Sequence, residues 1–418
     1  MIHYQEAIAT AIASCIQQDM NRNGIRKLFN KLHLWLGLAS GLVLFVVCLS
    51  GTIYTFRAEI ERWIDSDKYY ANVPMGAVML SPDTIAAKAA IIGKGKVTSI
   101  VIPSDKDMNW QVSVKKTSPE KEKRAEQKPG GGRPKTFFVN PYTGDVEGEQ
   151  GGSTSEFFAT MMKLHRWLLM EDSVGRIVVG ISTIIFVFLI LSGLVIWFPA
   201  KIRLLKQALS IKTSANWKRI NHDLHNTLGF YSFLVLLIMS LTGLCWSFEW
   251  YRDGLGDVLG AKVFKGRGEK PLPSTIPGEK PGKASLEQVV TETNKTFVYT
   301  GNLRLSIPEN DTNAIVVTKS ATGFFAVSGS DKAQFDQYTG ALLKTEAFSD
   351  KPLNVQIADS IKPIHTGEIF GTFSKIIYFV VCLIATSLPV TGTFIWLNKM
   401  KKKNNPIRIR LAESERVA

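Results

Sequence analysis

The sequence predicts an α-helical membrane protein: four transmembrane helices in two parallel repeats, each repeat carrying an α+β domain outside the bilayer. Three observations predict it. Four runs of the 418-residue chain lack any charged residue and are long enough to cross a bilayer, which takes roughly 20 residues of helix. Two long segments rich in both signs of charge interrupt them. Short motifs of the first half also recur, in order, in the second.

Taken in order, residues 1–33 form a basic N-terminal segment that ends in Arg22, Arg26, Lys27 and Lys31. Met1–Asp19 does not read as a cleaved signal, because the basic cluster follows it instead of leading an apolar core. Met20, which opens "MNRNGIRKLFNKLH", is an alternative start. The first span is Leu34–Phe56, and residues 57–164 make the first mixed polar domain. Residues 165–198 hold an interfacial turn and the second span, Ile177–Phe198. A basic link, 199–226, carries Lys201, Arg203, Lys206, Lys212, Lys218 and Arg219. The third span is Thr227–Phe248 and the second polar domain 249–364. Residues 365–397 hold a second turn and the fourth span, Ile376–Leu397, before a basic tail, 398–418, that carries Lys399, Lys401, Lys402, Lys403, Arg408 and Arg410 close behind the span.

The net charge of +14 lies in the N-terminal segment, the link and the tail, whereas the two polar domains are nearly balanced. That is the positive-inside pattern, and it predicts cytoplasmic termini and link with both polar domains across the membrane. It argues against nucleic acid as partner and for attraction to anionic lipid. Cys48, Cys245 and Cys382 fall in spans and Cys15 in the N-terminal segment. Without a C-x-x-C, neither a zinc site, a redox disulfide nor covalent haem attachment is expected.

The repeat is read at fixed offsets. "LHLWLG" from Leu32 lies over "LHNTLG" from Leu224, and Ser50-Gly51 over Thr242-Gly243. "LSGLVIWF" ends span two and "VTGTFIWL" span four, matching Ser192-Gly193 to Thr391-Gly392 and Trp197 to Trp396. The polar domains share a Tyr-Thr-Gly turn, "NPYTGDV" at Asn140 and "DQYTGAL" at Asp336. Each follows apolar–polar alternation, and Gly144 and Gly340 can supply the positive φ of a hairpin. Loops are expected over "TSPEKEKRAEQKPGGGRPK" from Thr117 and over Gly266–Ser285.

Five of the six histidines sit at the edges of spans. His33 and His225 occupy equivalent positions at the cytoplasmic mouths of spans one and three. Each has a glycine on its own helical face four residues on, Gly37 and Gly229, continued by Ser40, Cys48 and Gly51, or by Ser232, Ser240 and Gly243. Close helix packing explains such a stripe. It does not explain a histidine at both symmetric positions, for which a groove holding a flat macrocycle is the functional reading. His165 in "KLHRWLL" and His365 in "KPIHTGEIF" form a second matched pair, before spans two and four. A short helix that breaks at the glycines and then enters the membrane is expected there. His222, three residues before His225, is the alternate ligand or a propionate partner.

Paired imidazoles across a pseudo-twofold axis suit haem iron with both axial positions filled, a centre for one-electron transfer rather than oxygen chemistry. His33 with His225, and His165 with His365, would hold one haem near each face, so that no separate catalytic residue is assigned. Arg166, Lys218 and Arg219 are candidate propionate partners, or simply interfacial cations. A proton relay would need acids, and the four uncharged runs contain none.

With these residues in view, the chain resembles the PepSY-associated transmembrane family, which includes inner-membrane siderophore reductases. "LHLWLGLASG", "LSGTIYTF", "KLHRWL", "LSGLVIWFP", "LHNTLG", "IHTGEIFG" and "FVNPYTG" carry the resemblance from about Arg26 to Lys401. It implies a multi-pass protein of the bacterial inner membrane, two PepSY-like domains, two non-covalent b-type haems, and reduction of a ferric siderophore or other ferric chelate for iron acquisition. Asp336-Gln337 replaces the Asn-Pro of the first hairpin, a turn that should survive the change. No G-x-G-x-x-G follows a predicted strand, so electrons are expected from a cytoplasmic donor or from quinol. Two other classes are weighed: a non-catalytic PepSY-type regulatory or binding protein, which needs no haem, and an iron or chelate transporter, for which Pro389 is the one hint.

Overall fold

The computed structural model describes residues 2–116, 133–199, 201–264, 270–276, 278 and 282–403, with side chains from Gly24 to Lys401. The loop expected from Thr117, and part of that expected from Gly266, lie outside the described residues. The chain forms two units. A helical unit takes residues 1–54, 161–251 and 377–418, and a sheet unit takes 55–160 and 252–376.

Among the described residues, four helices are long and apolar enough to cross a membrane: Gly24–Thr55, Asp172–Trp197, Trp217–Ser247 and Gly371–Lys401. They run past the apolar limits read from sequence, because helical backbone hydrogen bonds do not require apolar side chains. His33 therefore lies well inside a helix that begins at Ile2, not at its mouth. His225 lies in a π-helical turn, Leu224–Leu228, between the helices Trp217–Asp223 and Gly229–Ser247. Such turns insert one extra residue and cluster at functional sites. Pro389 is accommodated within an unbroken helix, Gly371–Lys403.

Ile190, Leu236, Val381 and Ala385 are buried together between the spans. The buried hydroxyls of the small-residue stripe bond back to their own helices, Ser40 to the Leu36 carbonyl (2.8 Å), Ser232 to Leu228 (2.7 Å) and Ser240 to Leu236 (2.7 Å). Gly37 and Gly229 meet Leu189 and Leu388, each at ordinary contact distance. These positions are helix packing.

The expected breaks are present before spans two and four. Helix Ser153–Trp167 stops at Leu168 and Leu169, both at positive φ (54° and 58°), before Asp172 opens the second span helix. A Cβ on Gly175 would collide with the Trp167 carbonyl, so only glycine permits this tight re-entry. The helix Ile361–Thr366 stops at Gly367 (φ 79°), and Gly371 (φ 60°) opens the fourth span helix.

In the sheet unit, each polar segment gives a helix followed by four antiparallel strands. The first has Pro82–Gly93 and β1 Gly95–Ile102, β2 Trp110–Lys116, β3 Lys135–Val139 and β4 Val146–Glu149. The second has Leu286–Thr296 and β5 Gly301–Ser306, β6 Ile315–Ala321, β7 Ser330–Phe335 and β8 Leu342–Glu346. The two sets share one sheet of order β4-β3-β2-β1-β5-β6-β7-β8, joined where β1 pairs antiparallel with β5. Ile100 faces Leu305 at this seam, both fully buried. The core is continuous from Ile85, Val112 and Val139 to Val289, Val317 and Phe335. β2 and β6 show the same alternation of buried and partly buried residues, as period-two side chains on a half-covered sheet must. Asp83, from the first helix, accepts from Ser285 Oγ and from the backbone amides of Leu286 and Glu287, capping the second helix across the seam.

The two Tyr-Thr-Gly turns have the same construction. Asn140 Oδ1 accepts from the amides of Tyr142 (2.9 Å) and Thr143 (3.3 Å); Asp336 Oδ1 accepts from those of Tyr338 and Thr339 (both 2.9 Å). Gly144 and Gly340 take φ of 75° and 71°. The turn survives its Asn-Pro to Asp-Gln replacement because the acceptor, not the proline, organises it.

Candidate functional site

The helical unit brings two predicted ligands together. The rings of His33 and His225 have centroids 6.4 Å apart and planes at 88°. His33 Nδ1 lies 2.9 Å from Ser192 Oγ, and His225 Nδ1 lies 2.9 Å from Thr391 Oγ1. Each hydroxyl already spends its single proton on a helix carbonyl. Ser192 donates to Leu189 (3.1 Å), and Thr391 to Ser387 (3.0 Å) and Leu388 (3.1 Å). Acceptance from Nδ1–H by these hydroxyls is the arrangement that leaves the Nε2 lone pair of both imidazoles free. This is how a ligating histidine is oriented from behind.

Each ring also rests on a glycine of the facing helix. A Cβ on Gly193 would come to 3.4 Å from His33 Cε1, and one on Gly392 to 3.2 Å from His225 Cε1. The same construction recurs at His165. Its Nδ1 donates to the Val47 carbonyl (2.9 Å), and a Cβ on Gly51 would come to 3.0 Å from the ring. Thus Ser192–Gly193 and Thr391–Gly392, read from sequence only as repeat markers, supply the acceptor and the seat. Their signal was the matched "LSG" and "VTG" at the ends of spans two and four. The glycines on the histidines' own helices, Gly37 and Gly229, do not contact the rings.

His165 belongs to the helical unit and His365 to the sheet unit, where it lies half-buried in Ile361–Thr366. His222 is not drawn into the inner pair; it is exposed and takes Asn226 Nδ2 at 3.2 Å. Arg219 is engaged by Asp223 (2.8 Å), Arg166 stacks over the Trp167 ring (4.7 Å), and Lys218 is exposed.

A metal ion between two imidazole nitrogens at about 2.0–2.1 Å puts the ring centroids ~6.3 Å apart, allowing about 1.1 Å from nitrogen to centroid. The observed 6.4 Å fits. Among the described residues no group of three or more His, Cys, Asp or Glu is placed to hold a metal. Two imidazoles alone suit a metal whose remaining positions come with it, as in a macrocycle. Buried Asn221, four residues before His225, gives Nδ2 to the Thr391 carbonyl (3.0 Å) while its Oδ1 has no partner among the described residues. Trp167 Nε1, two residues after His165, is buried and unpartnered as well. Unsatisfied polar atoms at both places fit a polar group not part of the chain.

A model of the PepSY-associated TM region matches residues 30–399. The chain belongs to the PepSY-associated transmembrane family. No curated protein matches it. The match covers the second and third span helices of this PepSY-associated protein in full, the first from residue 30 and the fourth to residue 399, together with the whole described sheet.

Proposed function

We propose that this membrane protein carries electrons across the bilayer through two non-covalent b-type haems and reduces a ferric chelate, a ferric siderophore by preference, for iron acquisition. The observation that carries the reading is the His33–His225 pair, held at 6.4 Å with both Nδ1 atoms bonded from behind. Bound haem would supply one-electron transfer. His33 and His225 would hold it from the two sequence halves, Ser192 and Thr391 would keep Nε2 unprotonated and aimed, and Gly193 and Gly392 would leave room for the rings. His165, built in the same way, would serve the second haem, with His365 as its sequence-matched partner.

In this reading the two halves form a parallel repeat, with the basic link and both termini in the cytoplasm of a bacterial cell. The sheet unit then faces the far side of the inner membrane, where the ferric acceptor would bind. The donor is a cytoplasmic reductase or quinol. A regulatory protein without haem would leave three equivalently seated histidines unused, and a transporter built on broken helices is at odds with the unbroken helix around Pro389.

The test is a reduced-minus-oxidised absorption spectrum of the purified full chain produced with ample haem. Two low-spin haems per chain are expected. His33→Ala or His225→Ala should remove one, and His165→Ala or His365→Ala the other. Folded but colourless protein, or equal loss of both haems from every variant, overturns the proposal.

A further inference from the structure

The sheet unit carries an exposed aromatic patch that its core does not use. The loop between β6 and β7 contains Phe324, Phe325 and Val327, which are 50%, 67% and 53% exposed. Two more phenylalanines, Phe370 and Phe373, lie at the start of the fourth span helix and are 52% and 43% exposed. Three of these four rings cluster. Phe324 and Phe325 are 4.8 Å apart, and Phe373 lies 6.3 Å from the first and 5.2 Å from the second.

The loop is fastened to the head of that helix through its backbone. The Phe373 amide donates to the Phe324 carbonyl (3.0 Å), the Ser328 amide donates to the Ile369 carbonyl (2.9 Å), and Val327 bridges Phe370. Gly371, at φ 60°, packs against the Gly323 and Phe324 carbonyls so closely that any Cβ would clash. These contacts fix the loop's height at the first turn of a membrane-spanning helix.

Phe373 is also the first member of a longer stripe. Ile376, Ile377, Val380, Leu383, Val390, Phe394 and Leu397 follow it at helical spacing, each between 39% and 49% exposed. In a span this apolar, such a face meets lipid. One turn in, the buried Lys375 is neutralised by Glu59 at 2.8 Å, the kind of pairing a cation needs at the edge of hydrocarbon. Phe324 and Phe325 thus pack on Phe373, the residue that opens this stripe, two residues before the paired Lys375.

We propose that the Gly323–Val327 loop is a lipid-inserting wedge: Phe324 and Phe325 enter the bilayer interface beside the head of the fourth span and pin the sheet to the membrane surface. Apolar rings in this position bury about 5–10 Å into the headgroup–acyl boundary. The inference requires that the chain span a membrane, and is independent of haem.

The test uses the full chain in nanodiscs, with its four cysteines replaced by serine and a nitroxide label on Phe325→Cys or, separately, Phe324→Cys. A label on Asp311→Cys serves as reference, because Asp311 and Phe324 flank opposite ends of β6, about 20 Å apart. Collision with oxygen, which concentrates in lipid, is compared with collision with a water-soluble nickel chelate. The oxygen-to-nickel ratio at both loop positions is expected to exceed that at 311 several-fold. A ratio equal to that at 311 means an aqueous loop, and low collision with both reagents means a protein contact. Either result at both positions overturns the wedge.

Discussion

Replacing Thr391 by valine keeps the shape of the side chain and removes the one oxygen that holds His225 from behind. In the parent, Nδ1–H of His225 meets Thr391 Oγ1 at 2.9 Å in a half-buried setting. Leaving such a donor unpaired costs about 1–3 kcal/mol. The alternative is a switch to the Nδ1 lone-pair tautomer, which puts the proton on the nitrogen that should ligate. Loss of a group orienting a metal-bound imidazole costs roughly 10–100-fold in affinity, or about 1.4–2.8 kcal/mol at 1.4 kcal/mol per factor of ten. The two estimates agree in size. The assay is haem transfer from the purified protein to excess apomyoglobin, followed optically. Thr391→Val should speed release of one haem by 10–100-fold and leave the other unchanged, while Thr391→Ser, which retains an acceptor, should restore slow release. If the valine variant keeps both haems as long as the parent does, with unaltered reduction potentials, the argument from the bonded Nδ1 is wrong.

On the proposed function, Gly51→Ala should weaken haem binding at His165 more than Gly392→Ala weakens it at His225, because the added methyl falls 3.0 Å from one ring and 3.2 Å from the other. Overpacking of this kind costs about 1–3 kcal/mol, and haem stoichiometry at limiting haem reads it. Burial works to raise the Asp336 carboxyl, but hydrogen bonds from Thr339 and Tyr338 outweigh it and hold the group below its ordinary value of 3.8. Its contribution is therefore complete above that value and lost as pH falls through the lower folded one. Asp336→Asn keeps the Oδ1 acceptor but lacks the charge and puts an amide where Oδ2 accepts from the Thr275 amide, so it should fall below the parent at pH 7, with the gap narrowing toward pH 3, in amide-exchange protection of β7. Asp83→Ala removes three hydrogen bonds to Ser285, Leu286 and Glu287 and a favourable charge at a helix N-terminus. A loss of about 1–2 kcal/mol is expected, read as faster exchange in Leu286–Thr296 with the span helices unaffected.

Much of this architecture was legible in the residues. Uncharged runs report spans because hydrocarbon excludes charge, and Tyr-Thr-Gly reports a hairpin because the turn needs one short acceptor and one positive φ. The His33–His225 pair was legible through symmetry alone. The seats of the rings were not. Reasoning along one helix selects Gly37 and Gly229, but a buried side chain is received by a neighbouring helix, and which neighbour is a tertiary fact. Ser192 and Thr391 read only as repeat markers, and only the structure shows each placed between a helix carbonyl and an imidazole Nδ1. The π turn at His225 left no local mark, since "LHLWLG" is plain α-helix where "LHNTLG" is not. Nor could pattern foretell that β1 would find β5, because pairing between distant strands has no sequence signature beyond alternation.

That pairing sets a schedule for biogenesis. β1 ends at Ile102, and its partner begins only at Gly301, with the second and third spans encoded between them. During synthesis the first four strands must wait, one apolar border open, while two further helices are threaded into lipid. A nascent chain stalled before residue 300 would present the Ile100 border to any passing strand, an invitation to misassembly. The two halves should consequently fail as separately expressed fragments and succeed only when co-expressed, with each supplying the other's missing border.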